Sequence, residues 1–72
     1  TMMSQSEILL GAFKHGERLT VAEALTRYGV DALSQRCGEL KRQGHPIKSE
    51  MVKVESGKWV AQYSWAGQLE IL

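Results

Sequence analysis

The stretch from Ala32 to Ile47, ALSQRCGELKRQGHPI, constrains this chain more than any other. Leu33, Cys37 and Leu40 recur at helical spacing and fall within roughly 60° on a helical wheel, which predicts one buried stripe. Gly44 then marks a helix stop. The residue before Pro46 is biased away from helix, so His45-Pro46-Ile47 leads into an extended segment. A helix that ends this abruptly and hands over to a strand must pack its single apolar face on something close by. The segments on either side supply it.

Upstream, two further helices are expected. Ser4 with Glu7 has the capping-box spacing, Ser6 is a second possible cap, and Ile8, Leu9, Ala12 and Phe13 share one face, so a first helix runs from about Gln5 to His15 and stops at Gly16. A second opens with Thr20 as N-cap and Glu23 at the capping-box position. Ala24, Leu25, Val21 and Tyr28 are its core candidates, and Gly29 suits the left-handed position after its last turn. Only about three residues then separate it from the third helix, which is expected from Val30 or Asp31, with Asp31 as cap, to Gln43. Such a short, Gly-containing link crosses two helices steeply. Downstream, Val52 and Val54 alternate with Lys53 and Glu55, and Glu55-Ser56-Gly57 fits a three-residue hairpin loop. That loop pairs Val54 with Lys58, Val52 with Val60 and Met51 with Ala61. One sheet face then carries Ile47, Met51, Trp59, Ala61 and Tyr63 and is the expected core face. The other carries Val52, Val54 and Val60, with Val52 and Val60 partly open.

The order helix, turn, helix, hairpin predicts an α+β fold of the winged helix-turn-helix kind, three helices followed by a β-hairpin wing, over residues 2–63. Residues 64–72 read as an apolar C-terminal tail with Trp65, Leu69, Ile71 and Leu72 and a single charge. Seventy-two residues with 43% hydrophobic content suit one small folded domain. No apolar run approaches the length of a membrane span, and no signal-peptide pattern is present, which points to a cytoplasmic protein without a membrane partner.

The chemistry-bearing residues exclude more than they offer. One cysteine permits no internal disulfide, and its place on the apolar stripe makes Cys37 a small core residue. His15 and His45 stand beside glycines at element ends and read as helix-end and turn residues. No nucleophile motif, metal-ligand spacing or phosphate-cradling Gly cluster occurs, so no catalytic residue, metal or cofactor is expected. Phe13, Tyr28 and Tyr63 sit at core positions. Trp59, near the hairpin tip, reads as a cover for the edge of a small core, with a protein anchor as the alternative.

The net charge is only +1, but it is unevenly spread. Residues 1–26 carry two cations against three carboxylates. Residues 36–58 carry six cations against three, an excess of +3 on the third helix and the hairpin. Opposite the apolar stripe lie Asp31, Gln35, Gly38, Glu39 and Arg42, with Ser34, Arg36 and Lys41 at its margins. Gly38 either allows close approach to DNA or another helix, or is a tolerated exposed glycine.

Ile8-Leu9-Leu10, Leu19 to Leu25, Leu33, Cys37, Leu40 to Gly44, His45-Pro46-Ile47 and Val60 to Tyr63 together resemble the small winged helix-turn-helix domains of phage and prophage regulators. They are also similar to the DNA-binding head of the biotin operon repressors, whose apolar ending the tail resembles. The resemblance covers about four-fifths of the chain and implies sequence-specific binding of double-stranded DNA in transcription regulation, with no enzymatic activity. It would place DNA contacts on Ser34, Gln35, Arg36 and Arg42 of the third helix and on Lys53, Ser56 and Lys58 of the wing. Asp31 and Glu39 depart from a strongly basic reading face. The low net charge and apolar tail leave a second reading, a protein–protein interaction module on the same fold. The tail is also expected to support a homodimer, which would present two third helices to a two-fold site.

Overall fold

The computed structural model describes residues 3–67. Its elements are α1 (Gln5–Lys14), β1 (Leu19–Thr20), α2 (Val21–Tyr28), α3 (Leu33–Arg42), β2 (Ile47–Lys53) and β3 (Trp59–Trp65). Both expected capping boxes form. The Ser4 hydroxyl accepts from the Glu7 backbone N–H at 3.2 Å while the Glu7 carboxylate accepts from the Ser4 N–H at 3.1 Å. Thr20 and Glu23 repeat the exchange at the start of α2. Each box satisfies two of the backbone donors that a helix start leaves unpaired.

The core lies where the three helices meet the base of the sheet. It is built from Leu9, Ala12 and Phe13 of α1, Leu19 of β1, Ala24 of α2, Val30, the stripe Leu33, Cys37 and Leu40 of α3, and Ile47 of β2. Leu10, Tyr28, Tyr63 and Trp65 pack around it. Burying each large apolar side chain contributes about 1.5–3 kcal/mol, and these few residues carry most of the driving force of so small a domain.

The sheet has three strands in the order β1-β3-β2, both pairings antiparallel. The hairpin register is the one expected, with Val52 opposite Val60 and Met51 opposite Ala61, and the Val54 N–H donates to the Lys58 carbonyl at 2.8 Å. Gly57 turns the loop with φ +90°, a conformation that side-chain-bearing residues rarely adopt.

Several expectations change. β1 was not expected at all: Leu19 and Thr20 pair with Tyr63 and Gln62, so β3 is the central strand. β3 also runs on through Ser64 and Trp65, and the Ala66 N–H donates to the Pro46 carbonyl at 2.7 Å, so the start of the expected tail belongs to the sheet. Leu69, Ile71 and Leu72 lie outside the described residues. The expected core face of the hairpin is buried only at its base. Ile47 is 6% exposed, but Met51 and Trp59 near the tip are 61% and 63% exposed, because the hairpin projects past the helices that cover its root. Trp59 therefore covers no core edge. In α2, only Ala24 is fully buried. Leu25 and Val21 are 54% and 49% exposed, since eight residues give this helix room for one narrow contact stripe. α3 begins at Leu33 rather than Val30 or Asp31. Ala32 occupies its N-cap, and no side chain caps it. Val30 is instead buried in the core, which draws the chain out of helical geometry before Asp31.

Candidate nucleic-acid interface

The interface starts at the link between α2 and α3. Gly29 takes φ +67° and its N–H donates to the Leu25 carbonyl at 2.9 Å, while the Val30 N–H reaches the Ala24 carbonyl at 3.2 Å. This left-handed cap ends α2 within one residue, and the buried Val30 side chain pins the turn. The chain re-enters a helix at Leu33. Without a side-chain cap, α3 is held at its start by the burial of Leu33 and at its end by Lys41 and Arg42, whose charges complement the helix dipole.

With Leu33, Cys37 and Leu40 turned inward, the opposite face of α3 is set. Ser34 and Gln35 in the first turn and Lys41 and Arg42 in the last are exposed. Between them lies Gly38, and a Cβ built there would meet Arg42 Nη1 at 3.5 Å. The guanidinium of Arg42 thus reaches back over the bare backbone of Gly38, one turn toward Ser34. Of the two roles open for this glycine, the tolerated one fits, because the space beside it would accept a side-chain carbon. A methyl group would touch the guanidinium at ordinary contact distance.

Arg36 is placed differently from its expected partners. Its Nη1 donates to Glu39 Oε2 at 2.7 Å, and the Ser6 hydroxyl donates to Glu39 Oε1 at 2.9 Å. The Arg36 side chain is 29% exposed, and it lines a polar cleft between the start of α1 and α3 rather than the outward face. Glu39 is drawn into the same junction. The Ser6 hydroxyl, and then Arg36, hold its carboxyl below the usual glutamate range. Of the two carboxylates that depart from a basic reading face, Glu39 is therefore partnered within the fold, while Asp31 stays exposed. No spacing rule links Ser6 to Glu39, which are 33 residues apart.

The wing brings Lys53, Ser56 and Lys58 to an exposed tip. The register separates the two lysines. Lys53 lies opposite Trp59 on the face of Met51, and Lys58 lies opposite Val54 on the other face. Cations bracket the hairpin on both sides. Elsewhere Arg27 pairs with Glu17 at 3.3 Å and Glu23 at 3.8 Å, and Lys48 with Glu50 at 3.3 Å, while Arg18 stays exposed. Among the described residues, Lys41, Arg42, Lys53 and Lys58 enter no ion pair.

Cys37 is 1% exposed, and burial pushes its thiol up to about 11 against the opposing charge of Lys41. No group of three or more His, Cys, Asp or Glu side chains gathers among the described residues. No described helix is long and apolar enough to cross a membrane.

A short helix pair joined by a left-handed glycine, then an exposed helix face and a projecting hairpin, is the plan that a model of winged helix-turn-helix domains recognises over residues 4–67. The chain belongs to the winged helix-turn-helix domain family. No curated protein and no solved structure matches it. The family match takes in both capping boxes, the whole helix pair and the complete wing through Trp65, and ends where the described residues end. In winged helix-turn-helix terms, α2 and α3 are the paired helices and β2–β3 the wing.

Proposed function

We propose that this winged helix-turn-helix domain binds double-stranded DNA in a sequence-specific manner, as a transcription regulator of the phage type. α3 enters the major groove and the hairpin lies along the neighbouring backbone. In helix-turn-helix proteins the second helix of the pair presents its first residues to base edges. Here these are Ser34 and Gln35, and a Gln can engage adenine through two hydrogen bonds. Lys41 and Arg42, one or two turns on, suit phosphate. Lys53, Lys58 and Ser56 position the wing against sugar and phosphate, where a Lys serves as a flexible point charge. Arg36 is left out of the contact set, because its guanidinium is committed to Glu39.

The observation that carries this reading is the outward face of α3, where polar and cationic side chains stand exposed directly opposite a fully buried stripe. Selection of bound sequences from a random duplex pool tests it. A recovered motif, with affinity falling as salt rises at a log–log slope of about −3 to −4 per domain for the four unpaired cations of α3 and the wing, is the expected result. Recovery of no motif, together with a flat salt dependence, would overturn it.

A further inference from the structure

Where β1 ends at Thr20, the chain turns away into α2, but β3 continues toward the wing tip for three more residues. The Val54–Lys58 hydrogen bond sets the parity of the hairpin, so the backbone groups of Lys58, Val60 and Gln62 face β2. Those of Trp59 and Ala61 face the opposite edge, which no strand occupies among the described residues. Beside that open edge lies an apolar groove of about 440 Å³. Val21, Ala22 and Leu25 of α2 form one wall and Val54 and Val60 of the wing the other, with Thr20 at the end. Val21 and Leu25 spend about half their surface on it in water, which a small domain rarely does without a use.

We propose that this groove receives residues 68–72 of a second copy of the chain, so that two domains pair through their C-terminal segments. The segment is Gln68-Leu69-Glu70-Ile71-Leu72, three of five residues large and aliphatic. Leu69 and Ile71 alternate with Glu70, the pattern of a strand with one apolar side. An extended segment of this kind suits both halves of the site. Its backbone can pair with the free edge at Ala61 while its apolar side fills the groove, as in strand-addition recognition.

Reach decides between the chain's own segment and a partner's. The groove flanks Val60, and β3 then runs about 17 Å to Trp65 in the opposite direction. Beyond it, the Ala66 N–H bonds to the Pro46 carbonyl, and Gly67 lies against the Pro46 ring. Residues 68–72 therefore start at the far end of the sheet. Fully extended they cover about 17 Å, so they could bring at most Leu72 back to the groove and could not seat Leu69 or Ile71 in it. A second copy has no such limit. The pairing is independent of DNA binding and occurs without it.

Sedimentation of the full chain, of Leu25→Glu and of Ile71→Glu, each without DNA, tests the inference. Leu25 is exposed, so the first variant should fold, and thermal melting of both variants checks this. The expected result is a concentration-dependent dimer for the parent. Each variant should weaken it by on the order of tenfold or more, the usual effect of losing one apolar anchor. An equal mixture of the two variants should recover part of the dimer, since one intact groove still meets one intact segment. A monomeric parent at high micromolar concentration overturns the proposal, as does a dimer unaffected by Leu25→Glu. If the parent is monomeric and Ile71→Glu lowers the melting temperature, the segment folds back onto its own domain instead. If the parent is monomeric and neither variant shifts the melt, the segment does not occupy the groove in either way.

Discussion

Replacing Leu40 with Ala tests the core and the face assignment of α3 together. Leu40 is 1% exposed, and truncating such a side chain costs about 2–5 kcal/mol. A domain of 72 residues holds roughly 4–11 kcal/mol in all, so the variant loses a large part of its stability. Cys37, one turn earlier on the same stripe, reports the change directly. In the folded chain its thiol is buried and raised from the ordinary 9.0 to about 11. At pH 8 that leaves about 0.1% thiolate, against about 10% in the open chain, so a thiol reagent sees Cys37 almost only after opening. When reclosing is fast, the labelling rate follows the open population. The stability loss therefore accelerates labelling by about 30- to 4,000-fold. Equal labelling half-lives for the parent and the variant would refute the reasoning. So would a parent labelled as fast in buffer as in denaturant. Either result would mean that the stripe faces water and that Ser34, Gln35 and Arg42 face inward.

Arg42→Ala should lower duplex affinity for all sequences alike and reduce the magnitude of the salt slope by about one, with the melting curve unchanged. Binding titrations at several salt concentrations read both. Lys53→Ala combined with Lys58→Ala should weaken specific and nonspecific binding by similar factors, and a loss confined to the selected motif would make the wing a base reader. Gly57→Ala places a side chain at φ +90° and should cost about 1–2 kcal/mol, a melting shift of roughly 4–16 °C in a domain this small. Glu39 has a depressed carboxyl, so its contribution is present above the ordinary glutamate value of 4.5 and fades as pH falls through its lower folded value. Glu39→Gln should therefore flatten the decline in melting temperature below about pH 4.5, and an unchanged acid limb would remove the Ser6–Glu39–Arg36 junction from the stability of the fold.

What could be read from residue order was whatever depends on neighbours in sequence. The Ser4–Glu7 and Thr20–Glu23 boxes, the Gly29 cap, the Leu33–Cys37–Leu40 stripe and the register around Gly57 are all local patterns, and all stand. β1 was invisible because two residues carry no periodicity, and Leu19-Thr20 becomes a strand only because Gln62 and Tyr63 lie alongside. The exposure of Leu25 and Trp59 escapes residue order for a related reason. Each has the right spacing for burial, but Leu25 falls outside the one narrow stripe that the short α2 buries, and Trp59 lies where the hairpin overhangs the helices. Within the candidate interface, the exposure of Ser34, Gln35 and Arg42 follows from their position opposite the stripe, and that of Lys53, Ser56 and Lys58 from the hairpin tip. The Arg36–Glu39 pair has the local i,i+3 spacing of one helix, but the bond from Ser6 to Glu39 could not be read, since it needs α1 and α3 to be already crossed.

The place of β3 also bears on when the domain can form. Among the described residues, β1 and β2 do not pair with each other; each finds its strand partner in β3. On a ribosome, α1, α2 and α3 can gather as soon as they emerge. Leu19 and Ile47, however, have no sheet to join until residues 59–65 have been made. The assembly thus has a late closing step of high sequence separation, the kind that slows folding. A nascent chain stalled before Trp59 would show helices but no protected backbone amides in β1. Binding competence would arrive all at once with β3.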